Sequence, residues 1–439
     1  MGFAAFSAGG VTEPAWGICM VGICAVSLLI SIPTRRGNPA PPLGRLLNVV
    51  LILLPCYVAL QLLPLPLAWL KTVSPARAEL QDALLRFGLG APTAPISAAP
   101  SLTLAHLLRL LSYICFFLIA RALAARFPKS LWLTSLPVVL PGSAEAALGL
   151  WQYFHGASSA TGTYVNPNHY SCFLQMALPF SLALAIIAIR RRRGTDTLSL
   201  PRIFLGCLLA GCAALISLGA LYSLSRMGIA ALVASLLVLI SLAEARALSR
   251  RLRGTLAATA ALTLAGFVYV SAPSALLERL AGPGHGDPLT ADARLQIWKD
   301  TLRMAADYRY LGSGLGTFAS VFQKYSQAPS LLLIDFAHND YLQLLAELGL
   351  IGFTLTAVGG LAVLARVVRA ALTGPTTATR LLAAAGAASL VAIMLDSSVD
   401  FDFYIPANAL LAAWIAGIGT TVGASINDRD RRASSSQPA

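Results

Sequence analysis

Arg226, Arg294 and His338 are the residues best placed to do chemistry, because each sets a charged or titratable group beside a long apolar run. Arg226 lies in SLSRMG (223–228), between apolar stretches so close that the connection must be a tight turn. A charge next to hydrocarbon is costly and is usually kept for function. The plainer reading is an arginine reaching for lipid headgroups. The predicted face around it lacks other basic residues, which favours anion binding. Arg294 opens an amphipathic segment; Arg303 and Arg309 follow and read as a solvated face with i,i+4 pairing. His338 is one of only five histidines. Asn339, Asp340 and Tyr341 follow it at the edge of another apolar run, with Glu347 near the helix start. In TGTYVNPNHYSCF (161–173), Asn166, Asn168 and His169 crowd a turn ahead of an apolar helix. Asn-Pro and Asn are natural helix starters, and the same groups at a bilayer surface could hold a sugar or phosphate.

Other patterns carry less. GSGLG (312–316) departs from G-x-G-x-x-G, follows no buried strand and reads as a turn. Asp400-Phe401-Asp402 has the form of a metal-binding D-x-D and with Asp396 could hold a cation, but one tripeptide is a weak signal. Glu145 reads as a proton site or a buried hydrogen-bonding partner. His106 and Arg109 share a helix face and could line the same cavity. The seven cysteines, Cys19, Cys24, Cys56, Cys115, Cys172, Cys207 and Cys212, lie in or beside apolar runs with no C-x-x-C pair. They read as small buried hydrophobes, supporting neither a disulfide framework nor a thiolate metal site.

The elements that position these residues follow from composition. Of 439 residues, 57% are apolar and 12% charged, and mean hydropathy is +0.72. A soluble domain carries about 25% charged residues, so a soluble enzyme is excluded and a polytopic membrane protein indicated. Runs of about 20 apolar residues suit membrane helices, and eleven are predicted, near 15–32, 46–66, 102–121, 131–154, 168–189, 203–223, 227–243, 254–272, 346–365, 381–397 and 404–423. The first has its basic flank after it, the reverse of a signal peptide. Alternating loops sort the charge. The set 31–45, 121–130, 190–202, 243–254, 366–380 and 424–439 holds 21 of 32 Lys+Arg and only 4 of 19 acids. By the positive-inside rule that set is cytoplasmic, with the C-terminus inside and the N-terminus outside. The net charge of +13 is therefore a topology signal and no sign of nucleic-acid binding, and the presumed working face is not broadly basic.

The organisation expected is residues 1–272 with about eight spans, a long outward loop 273–345, 346–423 with about three spans, and a disordered cytoplasmic tail 424–439. Within the loop, Leu295, Trp298, Leu302 and Ala305 or Ala306 recur at helical spacing and predict an amphipathic helix. Trp298, Tyr308 and Tyr310 suit a membrane–water interface.

These motifs together resemble a family. SLSRMG, the Arg294-x-x-x-Trp298 pair, LGSGLGTF (311–318) and AHNDYLQLLAELGLIG (337–352) closely resemble the core of the bacterial O-antigen ligase / O-antigen polymerase family. TGTYVNPNHY and SSVDFDFYIPANA (397–409) look like segments of its wider membership, which includes exopolysaccharide polymerases and protein O-oligosaccharyltransferases. The resemblance runs from QLLPLP (61–66) to the last helix, and HNDYLQLLAELGLIG is its most specific part. MGFAAFSAGGVTEPAW looks like the end of a first helix, and such proteins commonly show twelve spans with both ends inside. The fold implied is an all-α polytopic membrane protein of about 11–12 transmembrane helices, similar to C-type membrane glycosyltransferases, with one long periplasmic loop containing amphipathic helices.

The resemblance implies transfer of a glycan from undecaprenyl diphosphate to an acceptor hydroxyl on the periplasmic face of the bacterial inner membrane, with inversion, without a metal and without a cofactor. The residues suit that chemistry. A departing diphosphate is already a stable anion and needs cations more than a general acid. The fork of Arg226 or Arg294 matches phosphate oxygens, and His338 could take the acceptor proton near neutral pH. Asn166, Asn168, His169, Asn339, Asp340 and Tyr341 are candidates for the donor or acceptor pocket. The partners implied are the undecaprenyl-diphosphate-linked donor, membrane lipids, and as acceptor either lipid A–core (ligase, the first reading) or a second lipid-linked repeat (polymerase). A lipid-linked glycan flippase or transporter is the alternative of another class. It should spread charges along its helices and show related halves, whereas the polar motifs here gather on one face.

Overall fold

A computed structural model of the chain describes residues 1–31, 40–127, 130–190, 200–244, 291–327 and 333–422. The span expected at 254–272, the loop before residue 291 and the tail from 424 lie outside these residues.

Apolar runs become helices almost where their lengths predict. In chain order they are α1 (Gly2–Ala5), α2 (Glu13–Ser31), α3 (Arg45–Leu60), α4 (Leu67–Val73), α5 (Pro75–Arg86), α6 (Pro100–Arg126), α7 (Leu131–Phe154), α8 (Pro167–Ile189), α9 (Leu200–Tyr222) and α10 (Arg226–Glu244). These are followed by α11 (Ala291–Asp307), α12 (Phe318–Phe322), α13 (Asp340–Thr373), α14 (Thr377–Asp396) and α15 (Pro406–Val422). Among the described residues seven helices are long and apolar enough to cross a membrane, and three shorter apolar helices, Glu13–Leu28, Arg45–Leu60 and Pro406–Val422, accompany them. The protein is thus an all-α polytopic membrane protein.

Helices α6 and α13 run past the expected ends at 121 and 365 to Arg126 and Thr373, and two further differences have a visible cause. The run predicted to 66 leaves the helix at Leu60, and Pro64–Pro66 instead pairs antiparallel with Thr93–Pro95, Leu65 opposite Ala94. Pro64 and Pro66 lack the N–H a helix interior needs, and a short edge strand tolerates them. Helix α13 starts at Asp340, six residues before the expected 346, because the Asn339 side chain accepts the Leu342 N–H and caps it.

Helix α8 forms the centre. Residues His169 to Ser181 along it are buried, with α9, α10 and α14 packed around. The facing run Leu381 to Ser389 of α14 is rich in alanine and wholly buried. Small residues let membrane helices approach closely, and the Ser389 hydroxyl bonds the Met176 carbonyl of α8 at 2.7 Å.

Among the described residues, parts of the two loop sets that charge separates in the sequence lie at opposite ends of this bundle. At one end Arg121 donates to Thr420 and to the Pro41 carbonyl, and Arg366 donates to the carbonyls of Pro42 and Leu43. At the other end the segments around residues 61, 98, 160, 222, 313, 340 and 397 bond one another through Gln61 to Leu311, Ala98 to Ser313, Ala160 to Tyr222 and Asp340 to Ser397. Nearly every polar motif lies at this second end.

Helix α11 forms as predicted but buries a different stripe. Ile297, Asp300, Thr301, Met304 and Ala305, with Tyr308 just past its end, face inward, packing on Phe318, Phe322, Ile334 and Ala337, while Leu295 and Leu302 stay half exposed. Asp300 is admitted because it accepts from Gln296, from Arg303 and from the Gln327 N–H at 2.9–3.1 Å. Apolar residues occupy both sides of this helix, so spacing alone did not choose the inward one.

Candidate functional site

The site is built where the His338 segment meets the turn after α14. The Asp340 N–H donates to the carbonyls of Ser397 and Asp400, and the Asn339 amide donates to the Ser398 carbonyl. Asp340 Oδ2 accepts the Phe403 N–H at 3.0 Å. These bonds clamp AHNDYLQ onto SSVDFDFY, two stretches some 60 residues apart in sequence. Phe336 stacks flat on Phe401, centroids 4.0 Å apart, and the Phe401 edge also meets the rings of His338 and His169.

His338 Nδ1 lies 3.2 Å from Asp400 Oδ1, and Asp400 is buried. The other carboxylate oxygen, Oδ2, accepts from Asn168 Nδ2 at 2.9 Å, and the Phe401 N–H caps Oδ1 at 3.0 Å. Burial alone pushes the Asp400 carboxyl up, but the His169 and His338 imidazoles and the Arg294 guanidinium together hold it well below the usual carboxylate range. Arg294 thereby acts electrostatically on the carboxylate that His338 bonds. Asp402 shifts the other way, raised by burial and then by its neighbour Asp400. Asp400 is thus the carboxylate that faces His338.

Two backbone outliers flank the candidate residues. His338 has φ 48° and Leu224, two before Arg226, has φ 61°. Left-handed backbone at non-glycine residues persists only where the surroundings impose it, and it gathers at functional sites. At His338 the constraint is visible: the Trp298 indole N–H donates to the carbonyls of Ala337 and His338 at 3.1 and 3.2 Å. The Arg294-x-x-x-Trp298 spacing, one helical turn, therefore sets a guanidinium near Asp400 and a donor under the histidine backbone. Replacing Trp298 with Phe keeps the ring and removes the donor. It should lower stability by about 1 kcal/mol, read as a fall in the thermal unfolding midpoint, and slow glycan transfer about tenfold if loosening the His338 backbone costs about 1.4 kcal/mol in the transition state. Unchanged transfer would show that this anchor does not position His338.

Arg226 opens α10 and is exposed. Its turn is shaped by the Ser225 hydroxyl, which accepts the Gly228 N–H at 3.1 Å, and Gly228 lies so close to Ser171 that a Cβ would sit 2.3 Å from its Oγ. That approach sets the N-terminus of α10 beside the first turns of α8, which carry Asn168 and His169. A helix N-terminus bearing an arginine is a ready anion site.

The other candidates divide by what they touch. Asn166 caps α8 by accepting the Asn168 N–H at 2.8 Å. His169 is buried, its Nδ1 3.1 Å from Asp402 Oδ1. Asp340 is wholly buried, Asn339 bonds backbone with both ends of its amide, and the Tyr341 hydroxyl donates to the Met394 carbonyl. Of the pocket candidates, Asn168 alone bonds the carboxylate that holds His338. Arg303 pairs with Asp300 at i,i+3.

Residues read as secondary in the sequence form the scaffold. Glu347, wholly buried, accepts the N–H groups of Gly316 and Phe318 and the Tyr404 hydroxyl at 2.6–3.0 Å, wrapping the GSGLG turn around its carboxylate. Gln61 of QLLPLP bonds the same turn through Leu311 and Leu315. His106 borders it, with its ring near Tyr404, whereas Arg109 lies over the Trp16 ring. Glu145 accepts from Thr163 and so is a buried hydrogen-bonding partner.

The fold defines a multi-pass membrane protein whose polar chemistry is gathered at one end of the bundle. Residues 211–357 match the family model described as O-antigen ligase; this stretch contains Arg226, Arg294, Trp298, the GSGLG turn and His338. The match supports the O-antigen ligase/polymerase family for this chain and, with it, glycan transfer of the ligase type in general. No curated protein matches the chain.

Proposed function

We propose that the protein transfers a glycan from undecaprenyl diphosphate to a hydroxyl of lipid A–core, on the periplasmic face of the inner membrane and with inversion at the anomeric carbon. The observation that carries this reading is the His338–Asp400 pair with Arg294 acting on the same carboxylate. His338 Nδ1 faces Asp400, which leaves Nε2 to accept the proton of the attacking hydroxyl. The bond from that oxygen to the anomeric carbon forms as the bond to the diphosphate breaks. Arg226 and Arg294 take the charge that develops on the leaving group. The donor is thus activated by its own phosphates, and the transfer step routes no charge through a metal.

The experiment is purified protein with lipid-linked glycan and either lipid A–core or a second lipid-linked repeat as acceptor, with product mass as the readout. Glycan on core is expected; elongated lipid-linked glycan would make the protein a polymerase using the same donor site. Movement of the donor across proteoliposomes with no product would make it a flippase. Arg226→Ala is expected to reduce transfer by about 10²-fold or more, the scale of losing one charge-stabilising group, while the thermal midpoint changes little because Arg226 is exposed. Normal transfer by this variant would remove Arg226 from the site.

A further inference from the structure

Beneath the His338–Asp400 pair lies a second cluster that the transfer reaction does not use. Cys172 of α8, Asp396 at the end of α14 and Asp402 each present a ligand-type atom, all three within 4.8 Å of one another, and all three residues are buried. Burying two neighbouring carboxylates is expensive unless their oxygens are paired. Asp402 Oδ1 accepts from His169 and Asn408, and Asp396 Oδ2 accepts from Gln175 at 3.0 Å. No nitrogen or oxygen donor serves Asp402 Oδ2, the Cys172 thiol being the further hydrogen-bonding neighbour of that carboxyl, and none serves the amide oxygen of Gln175, a wholly buried residue whose amide nitrogen donates to Asp396. Two buried oxygens thus lack a nitrogen or oxygen donor, one in the cluster and one on a side chain bonded to it.

We propose that Cys172, Asp396 and Asp402 hold a zinc ion, with the Gln175 amide oxygen as the fourth donor. A ligand set of sulfur and oxygen selects the metal. Calcium and magnesium take oxygen ligands, whereas zinc accepts thiolate together with carboxylate in a closed four-coordinate structural site. Tetrahedral zinc with bonds of about 2.3 Å to sulfur and 2.1 Å to oxygen sets its ligands about 3.6 Å apart, so the ion would draw this cluster inward. Binding replaces the thiol proton and places a double positive charge between two carboxylates. Its role is structural. The ion ties α8 to the end of α14 and to the turn whose neighbouring residue, Asp400, bonds His338. Sequence spacing shows no C-x-x-C, and only the fold brings Cys172 to within reach of residues more than 220 positions later.

The test uses full-length protein purified without chelator and with any affinity tag removed, its metal content read by mass spectrometry. About one zinc per chain is expected. Cys172→Ser, which keeps size and removes the soft donor, should lose at least about tenfold in zinc affinity. Chelation should lower the thermal midpoint by about 5 °C or more, and zinc alone should restore it. Less than about a tenth of an equivalent of zinc, with a midpoint that neither chelator nor added zinc moves, overturns the proposal. Zinc fully retained by Cys172→Ser overturns the ligand assignment, and Asp396→Asn checks it where the serine variant folds poorly. Metal content and unfolding are read without any glycan, so failure here and failure of the transfer reading are separate results.

Discussion

Replacing His338 with asparagine is expected to cut glycan transfer by about 10²–10⁴-fold, the usual contribution of a positioned general base, with the protein still folded. Asparagine is the informative choice because His338 has φ 48°, a region asparagine enters more readily than alanine. Its amide can still reach Asp400, yet it takes no proton. Single-turnover transfer from the lipid-linked donor measures the effect, and a thermal midpoint within a few degrees of the parent shows that the site survives. Asp400→Asn complements it. The Asn168 bond to Oδ2 can be kept by the new carbonyl, but the amide nitrogen then faces His338 Nδ1. That contact favours the tautomer with its proton on Nε2, the nitrogen that must be empty to receive one, so a loss of at least about 10²-fold is expected. If Asp400→Asn transfers normally while His338→Asn does not, the imidazole needs no carboxylate partner. If both transfer normally, His338 is not the base.

How far the sequence foretold this arrangement depended on the distance over which each signal acts. Spans, caps and turns are local, so ten of the eleven apolar segments appear as helices among the described residues, and the Asn166 cap and GSGLG turn appear where composition placed them. Charge sorting acts along the whole chain, and among the described residues Arg121 and Arg366 gather at one end of the bundle while His338 and Asp400 meet at the other. Partnership across sequence was invisible. Asp400 was legible only as part of a D-x-D, since nothing in its own neighbourhood announces a histidine 62 residues earlier. Trp298 read as an interfacial aromatic, because its role lies in one indole N–H aimed at a backbone carbonyl. Cys172 read as a buried hydrophobe, which its burial fits, while its acidic neighbours come from another helix and the turn beyond it.

The second large effect concerns a residue that touches none of the reacting groups. Gly349→Ala is expected to destabilise the protein by about 3 kcal/mol or more and to abolish transfer together with folding. Gly349 interrupts α13 with φ 61° and ψ −174°, a combination that an L side chain avoids. The break turns the helix so that the Leu350 N–H donates to the Arg309 carbonyl at 2.8 Å, and it admits the Tyr310–Gly314 turn against the helix backbone. A Cβ on Gly349 would lie 2.4 Å from the Tyr310 carbonyl group, and one on Gly312 would lie 2.1 Å from the Glu347 carbonyl oxygen. Both contacts are backbone to backbone, so no rotamer change relieves them. The Tyr57 hydroxyl, which donates to Leu348 at 2.7 Å and sits 3.0 Å from the Leu311 carbonyl, locks the same junction from α3. Because the far side of this loop bonds Glu347, and Glu347 in turn holds Tyr404 beside the Asp400 turn, strain at Gly349 is expected to reach His338. Detergent-solubilised protein from the alanine variant should show an unfolding midpoint many degrees lower, or no folded fraction. Gly360→Ala on the same helix, where a Cβ meets nothing within 4 Å, should be neutral or slightly stabilising, since alanine is the better helix former. Equal midpoints for the two variants would mean that the kink at Gly349 is not what seats the loop.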